Sequence, residues 1–387
     1  MSAPQSYDLI IAGGGLAGGL AALALRQAHP AMRLAVVEAG DTLGGNHVWS
    51  CFSSDLDAAA LALVEPLFAH RWQNHEVAFP AHQRRLSGAY ASITSAHFDA
   101  VLRDALGEQA IRTGAPIASV EAASVVLENG TRLDGPVLDC RGAGDLSLLA
   151  CGWQKFVGRT LRLAAGHDVA QPMIMDAALG QIDGYRFVYL LPLSPHEIFV
   201  EDTYYSDAPA LDTATLAARI SAYAAGRGWP SPEVVHEESG VLPVVMAGDF
   251  DAYWDSGGRG IAKGGVRAGL FHPLTSYSLP EAARFALALA DAWPLADAAA
   301  LHGWTRDHAR ARWRANGFYR LLAKLLFRAA APNARYKILE RFYRLPERLI
   351  GRFYAGRSTL FDKIRILSGK PPVPIAKAVK ALIGTRT

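Results

Sequence analysis

The opening segment, residues 7–38, restricts the fold more than any other part of the chain. Tyr7-Asp-Leu-Ile-Ile-Ala12 reads as a short buried strand that runs into the glycine cluster Gly13-Gly14-Gly15-Leu16-Ala17-Gly18. Gly19 to Ala28 is rich in Ala and Leu and free of β-branched residues, so a helix is expected. Arg33-Leu-Ala-Val-Val-Glu38 then reads as a second strand ending in an acid. Strand, glycines, helix, strand and acid in that order form the βαβ dinucleotide fingerprint. Gly13 suits the tight turn, Gly15 admits a pyrophosphate, and Gly18 lets the helix approach the strand. The helix N-terminus offers N–H donors and the positive end of its dipole to the phosphates. Glu38 stands where a carboxylate accepts from ribose hydroxyls and repels a 2′-phosphate, which fits FAD or NAD and not NADP.

Three later stretches favour FAD. Gly40-Asp-Thr-Leu-Gly44-Gly45-Asn46-His47 continues the second strand into another glycine-bearing loop, of the kind that runs beside a flavin, and makes Gly45 and His47 candidate contacts. Val137-Leu-Asp-Cys-Arg141-Gly142 is a strand ending in a turn where Arg141 and Gly142 can approach the cofactor. Gly264 to Ser278, with Gly269, His272 and Pro273, is a turn leading into the helical stretch Pro280 to Ala292, whose N–H groups can face the ring system or ribityl chain. Taken singly, each of these also reads as an ordinary turn.

A chain of 387 residues, 51% hydrophobic and 19% charged, has a sizeable core and is not globally disordered. The expected fold is α/β: a Rossmann-like FAD-binding domain, an antiparallel-sheet substrate domain and a basic helical C-terminal region. The FAD-binding domain is expected to be discontinuous, over 1–80, 110–155 and 255–300. Residues 156–254 alternate in short apolar and polar runs, as antiparallel strands covering a substrate do, with a helix over Leu211–Arg227 stopped by Gly228 and Pro230. Residues 301–387 are expected to be helical and membrane-facing, with Phe318, Leu321, Leu322, Leu325 and Leu326 on one helical face.

The net charge of +3 hides an asymmetry: 19 Lys+Arg against 32 Asp+Glu before residue 301, and 20 against 4 from there on. A basic segment on an acidic body points to an anionic partner, a membrane surface or nucleic acid. No RNA-binding motif of recognised spacing is present, so no nucleic-acid partner is expected, although an RNA-binding or RNA-modifying flavoprotein is the reading from another functional class. The strand at Tyr7 leaves no room for a secretory leader, and the apolar run Phe285–Leu301 is broken by Asp291, Pro294 and Asp297. Cys51, Cys140 and Cys151 are odd in number and lack metal-site spacing, so no metal is expected.

Several stretches together resemble the FAD-dependent carotenoid cyclases, the bacterial lycopene β-cyclase family. They are Tyr7 to Glu38, Gly44-Gly-Asn-His-Val-Trp-Ser50, Pro172-Met-Ile-Met-Asp176 and Phe199-Val-Glu-Asp-Thr203. The last is similar to the family's Phe-Leu-Glu-Glu-Thr motif. The His272-Pro-Leu-Thr-Ser-Tyr-Ser278 turn and the basic stretch Arg341 to Pro374 add to the likeness. Departures are Asp202 where the motif has Glu, Val200 for Leu, and Ser276 where many members have Gly. Val266 follows Gly265, so the Gly-Asp pair of flavin hydroxylases is absent.

The resemblance implies closure of the acyclic ends of lycopene into β-ionone rings, to β-carotene by way of γ-carotene, without net redox change. It implies reduced FAD as the active form, with the flavin stabilising cationic charge, and makes NAD(P)H a plausible electron donor. An alkene is a feeble base, so the proton donor must be a neutral acid in a dry site, where burial keeps a carboxyl protonated. Adjacent strand residues face opposite ways, so only one of Glu201 and Asp202 can face the substrate. The motif makes Glu201 the expected acid and Asp202 a structural partner. Trp49, Tyr189, Phe199, Tyr204 and Tyr205 are candidate cation–π groups. A C40 hydrocarbon substrate puts the enzyme on a bilayer, peripherally and on the cytoplasmic side. The rival within the same fold is an isoprenoid reductase or hydroxylase with net redox chemistry.

Overall fold

A computed structural model describes residues 5–369 and Lys380; the end of the basic stretch Arg341–Pro374 and nearly all of 370–387 lie outside the described residues. Leu9–Ala12 is the middle strand of a five-stranded sheet, ordered Ala262–Lys263, Val137–Asp139, Leu9–Ala12, Leu34–Val37, Ile111–Arg112. Every pairing in it is parallel. Parallel sheets are covered on both faces, which is why Leu9–Ala12 and Leu34–Val37 are unbroken apolar runs. Leu9, Ile11, Leu34 and Val36 pack on the helices Leu16–Ala28 and Leu279–Ala292. Ile10, Ala12, Ala35 and Val37 point the other way, onto a small four-stranded sheet through Val125, Leu127 and Leu133. The first helix can sit on the turn below it because Gly18 has no side chain: a Cβ there would lie 2.1 Å from the Gly13 carbonyl oxygen.

The second layer is an eight-stranded sheet ordered Glu233–Gly248, Leu149–Arg162, Glu197–Ser206, Tyr185–Pro192, Met173–Asp176, His70–Phe79, His82–Thr94, Val48–Phe52. All neighbours are antiparallel except Met173–Asp176 with His70–Phe79. This corrects the expected boundaries. Strands Val48–Phe52 and His70–Phe79 fall within 1–80 yet belong to this sheet, and Leu149–Arg162 begins inside 110–155. Their backbone groups find ladder partners only here, so chain proximity to the dinucleotide fingerprint was a poor guide. The helix expected over Leu211–Arg227 spans Thr213–Gly226, with the Asp212 carboxylate accepting from the Thr215 N–H at its start.

The C-terminal region folds as the helices Ala298–Ala315, Gly317–Ala329, Tyr336–Phe342, Glu347–Tyr354 and Leu360–Leu367. Ala298–Ala315 packs beside strand Ala262–Lys263 of the parallel sheet, while the later helices join Phe187, Phe199 and Tyr205 of the large sheet in one apolar cluster through Tyr319, Phe327 and Tyr343. In Gly317–Ala329 the buried face is Tyr319, Ala323, Leu326 and Phe327. Of the face expected there, Phe318, Leu321, Leu322 and Leu325 are only partly covered, because the helix is gripped from its tyrosine side.

Candidate active site

Between the parallel sheet and the large sheet runs a cavity of about 810 Å³. Gly13, Gly15, Glu38, Arg141 and Gly142 line it, as do Gly45 and His47. Gly13 has φ +102°, a conformation open to glycine at little strain. A Cβ on Gly15 would meet nothing within 4 Å, so its backbone at the helix start stands open to a ligand. Glu38 accepts from the N–H groups of Gly14 at 2.8 Å and Gly40 at 2.9 Å, which fixes its carboxylate beside the turn. An open glycine backbone at a helix N-terminus, next to a carboxylate placed for ribose, fits a dinucleotide such as FAD. Gly18 lies behind the turn, in contact with the Gly13 carbonyl.

Arg141 is held in place through both its side chain and its backbone. Its guanidinium donates to buried Asp139 at 3.0 and 2.9 Å, and its carbonyl accepts from Arg267 Nε at 2.8 Å. Gly269, His272 and Pro273 do not line the cavity. The His272 ring is buried against Tyr319 and Phe353, centroids 4.4 and 5.2 Å away, where desolvation holds its pKa down at about 3. The Pro273 carbonyl accepts from Val245 N–H at 2.8 Å, and Gly269 ends a 3-10 turn in the left-handed region. These residues brace the turn. The stretch Thr275–Ser278 just beyond them faces the cavity instead.

The large sheet sets the chemistry through its register. Tyr189, Glu201, Gly158 and Glu238 form one row across four strands, and Tyr189, Glu201 and Glu238 open into the cavity. Gly158 leaves a gap in the row that the Phe199 ring fills; a Cβ there would lie 2.4 Å from it. Glu201 Oε1 accepts from the Thr203 hydroxyl at 2.5 Å. Burial, reinforced by the neighbouring Glu238, pushes the Glu201 carboxyl up to about 8, against a smaller opposing pull from Thr203. Glu238 is held by Val48 N–H at 2.9 Å, with His47 Nδ1 3.3 Å away.

One residue on, the row Val188, Asp202, Val157, Ser239 faces the other side of the sheet. Asp202 is fully buried there, and both its oxygens are used: Arg186 Nε donates at 2.9 Å, Arg186 Nη2 at 2.8 Å and Tyr204 Oη at 3.1 Å. Asp202 is therefore outside the cavity, and Tyr204 with it. Trp49, Tyr189, Phe199 and Tyr205 do line the cavity. Sequence reasoning missed Tyr90, Tyr343 and Tyr354, aromatics on the cavity wall. It also missed buried Asp55, which accepts from Tyr277 Oη at 2.9 Å. Only the Tyr277 position had a signal, as part of the quoted turn.

Comparison with solved structures places the fold among flavoenzymes. A geranylgeranyl bacteriochlorophyll reductase-like protein from Thermoplasma acidophilum matches at TM-score 0.65, 13% identity, over 98% of this chain and 99% of that one. A probable FAD-dependent monooxygenase from Pseudomonas aeruginosa matches at TM-score 0.58, 18% identity, over 88% and 100%. Sequence relatives are closer. The lycopene beta-cyclase of Pseudescherichia vulneris is 45% identical over 97% of both chains, and that of Pantoea ananas 43% identical over 98% of both. With the family model described as lycopene cyclase protein matching residues 8–380, the chain belongs to the lycopene cyclase family.

Proposed function

We propose that this protein closes the acyclic ends of lycopene into β-ionone rings, yielding β-carotene through γ-carotene, as an isomerase that uses reduced FAD. The observation that carries the reading is Glu201, a carboxyl held protonated up to about pH 8 on the wall of an aromatic cavity that also carries the dinucleotide cradle. Glu201 delivers its proton to C2 of the terminal alkene. The C5–C6 alkene then attacks the cation at C1, the ring closes with charge at C5, and loss of the C6 proton leaves the C5=C6 bond. Tyr189, Phe199 and Tyr205 present ring faces and edges to the cationic stages while excluding water. Gly13, Gly15, Glu38, Arg141 and Gly142 would hold FAD, which when bound and reduced would supply negative charge near the cation in a low-dielectric site. NAD(P)H serves to keep the cofactor reduced and is not consumed per ring.

The enzyme works on a bilayer surface, where its hydrocarbon substrate resides. Among the described residues no helix is long and apolar enough to cross a membrane. The helix Leu360–Leu367 instead carries a surface suited to lying on one, with Leu360 and Phe361 74% and 73% exposed.

The test is anaerobic incubation of the FAD-loaded protein, chemically reduced, with lycopene in liposomes, comparing wild type with Glu201→Gln. β-Carotene from wild type and none from a folded, flavin-binding Glu201→Gln supports the reading. An equally active variant removes Glu201 from the role. Stoichiometric NADPH consumption with a hydrogenated product would replace the cyclase by a reductase.

A further inference from the structure

Ring closure leaves a proton to be taken from C6, a different carbon from the C2 that Glu201 protonates. Besides Glu201 and Glu238, which line the cavity, a third carboxyl stands one side chain behind its wall. Asp55 follows strand Val48–Phe52, is fully buried, and reaches the cavity only through Tyr277, whose Oη donates to its Oδ2 at 2.9 Å and whose ring lines the cavity. Its other oxygen, Oδ1, is buried with no hydrogen-bond partner. Asp202 provides the contrast: there every oxygen is filled by Arg186 and Tyr204, as a structural carboxylate requires. Near Asp55 the arginines turn elsewhere. Arg357 donates to the Ser54 and Asp55 carbonyls, and Arg284 to the Ala355 carbonyl and Glu281.

The geometry points to a Tyr277–Asp55 relay as the acceptor of the C6 proton and so as the feature that sets ring type. This rests on the cyclase reading above. The C6–H bond breaks and its electrons become the C5=C6 bond; the proton goes to Tyr277 Oη as the hydroxyl proton passes to Asp55 Oδ2. Glu201 has lost one proton and Asp55 gained one, so the turnover is redox-neutral and the proton must afterwards return to Glu201. A neutral phenol suffices as relay because a tertiary carbocation is a far stronger acid than any protein group. Burial supports the role, raising Asp55 to about 7, with Tyr277 and the Phe52 N–H pulling the other way and Arg284 and Arg357 adding weaker pulls. Cys51 beside it stays a neutral thiol because burial lifts it, and Tyr90 and Tyr354 are likewise held neutral by desolvation. Removal of the C4 proton instead would give the ε-ring, so an acceptor fixed near C6 selects β.

The experiment uses full-length, FAD-loaded, reduced protein in D2O with lycopene liposomes, comparing wild type, Tyr277→Phe and Asp55→Asn. Asp55→Asn retains the shape and an acceptor for Tyr277, so flavin binding is expected to survive. Expected are a fall in kcat of about a hundredfold with KM little changed, deuterium appearing in recovered lycopene as protonated substrate reverts, and ε-ring product rising. Asp55→Asn should also lose the acid limb of the kcat–pH profile. A flavin-bound Asp55→Asn with wild-type turnover, unlabelled recovered lycopene and an intact acid limb overturns the relay. A wild type that forms no β-rings overturns the cyclase reading beneath it.

Discussion

Glu201 and Asp202 are neighbours in sequence whose surroundings differ in kind. The pleat sends Glu201 into an aromatic cavity, in one row with Glu238, and Asp202 into a pocket with a guanidinium fork. A raised carboxyl works as an acid only while protonated, so turnover should fall as pH rises through about 8, a basic limb separate from the acid limb that Asp55 sets. That basic limb, read from kcat in buffers of constant ionic strength, should move if Thr203→Val removes the hydroxyl that now helps the ionised form. With that bond gone, the limb shifts to higher pH. Asp202→Asn should leave the limb alone and destabilise the fold by about 3–5 kcal/mol, since Arg186 keeps its charge in a buried site; urea unfolding checks this. At this scale the sequence was partly legible. Strand alternation alone separated the two carboxyls, whereas Asp55 could not be found because its partner Tyr277 lies 222 residues away and neither position is marked by spacing.

Among the elements, the turn before helix Leu279–Ala292 shows how a departure from the usual glycine is accommodated. Ser276 has φ +55°, in the left-handed region, and is buried. Its hydroxyl donates to the Pro243 carbonyl at 2.8 Å, tying the cavity-facing turn to the long strand Glu233–Gly248. Glycine there would relieve roughly 1 kcal/mol of backbone strain and forfeit about as much in hydrogen bonding, so Ser276→Gly should leave Tm nearly unchanged. Ser276→Ala keeps the strain, loses the bond and orphans the carbonyl. It should cost about 1–3 kcal/mol, a reversal of the usual order in which alanine outranks glycine; thermal unfolding of both variants decides it. The elements that were legible are those whose pattern is local: the fingerprint strands, the helix after the turn, the short apolar strands near Phe199. Strand Glu233–Gly248 was not, because its first half is largely exposed and polar and only Pro243–Met246 is continuously buried. Strands Val48–Phe52 and His70–Phe79 were assigned to the wrong unit, since pairing across a sheet leaves no mark on either segment alone.

For the whole molecule, the proposed work at a bilayer raises the question of how a protein whose first 300 residues carry a surplus of acid would meet an anionic surface. The excess of base is confined to the segment beyond residue 300, where 20 Lys+Arg face 4 Asp+Glu. On the proposed bilayer surface, repulsion of the body and attraction of the C-terminal region would together turn the helices toward the membrane. Within that region Leu360–Leu367 is held on one side: Asp362 is fully buried, accepts from Arg352 Nε at 2.7 Å and closes a capping box with Thr359. Ile366 packs toward the cluster that includes Phe353 and Tyr343, and Tyr343 lines the cavity. The other side presents Leu360, Phe361, Ile364 and Leu367, each at least half exposed, beside Lys363 and Arg365. Burying two such side chains in the interface is worth a few kcal/mol at about 25 cal/mol per Å². Phe361→Ser with Ile364→Ser should therefore lower binding to anionic liposomes by about tenfold or more in sedimentation, while turnover of detergent-dispersed lycopene stays near wild type. Added salt should weaken the wild type's binding further, because the basic residues contribute through screened attraction. Undiminished liposome binding by the double variant would mean that another surface carries the enzyme to its substrate.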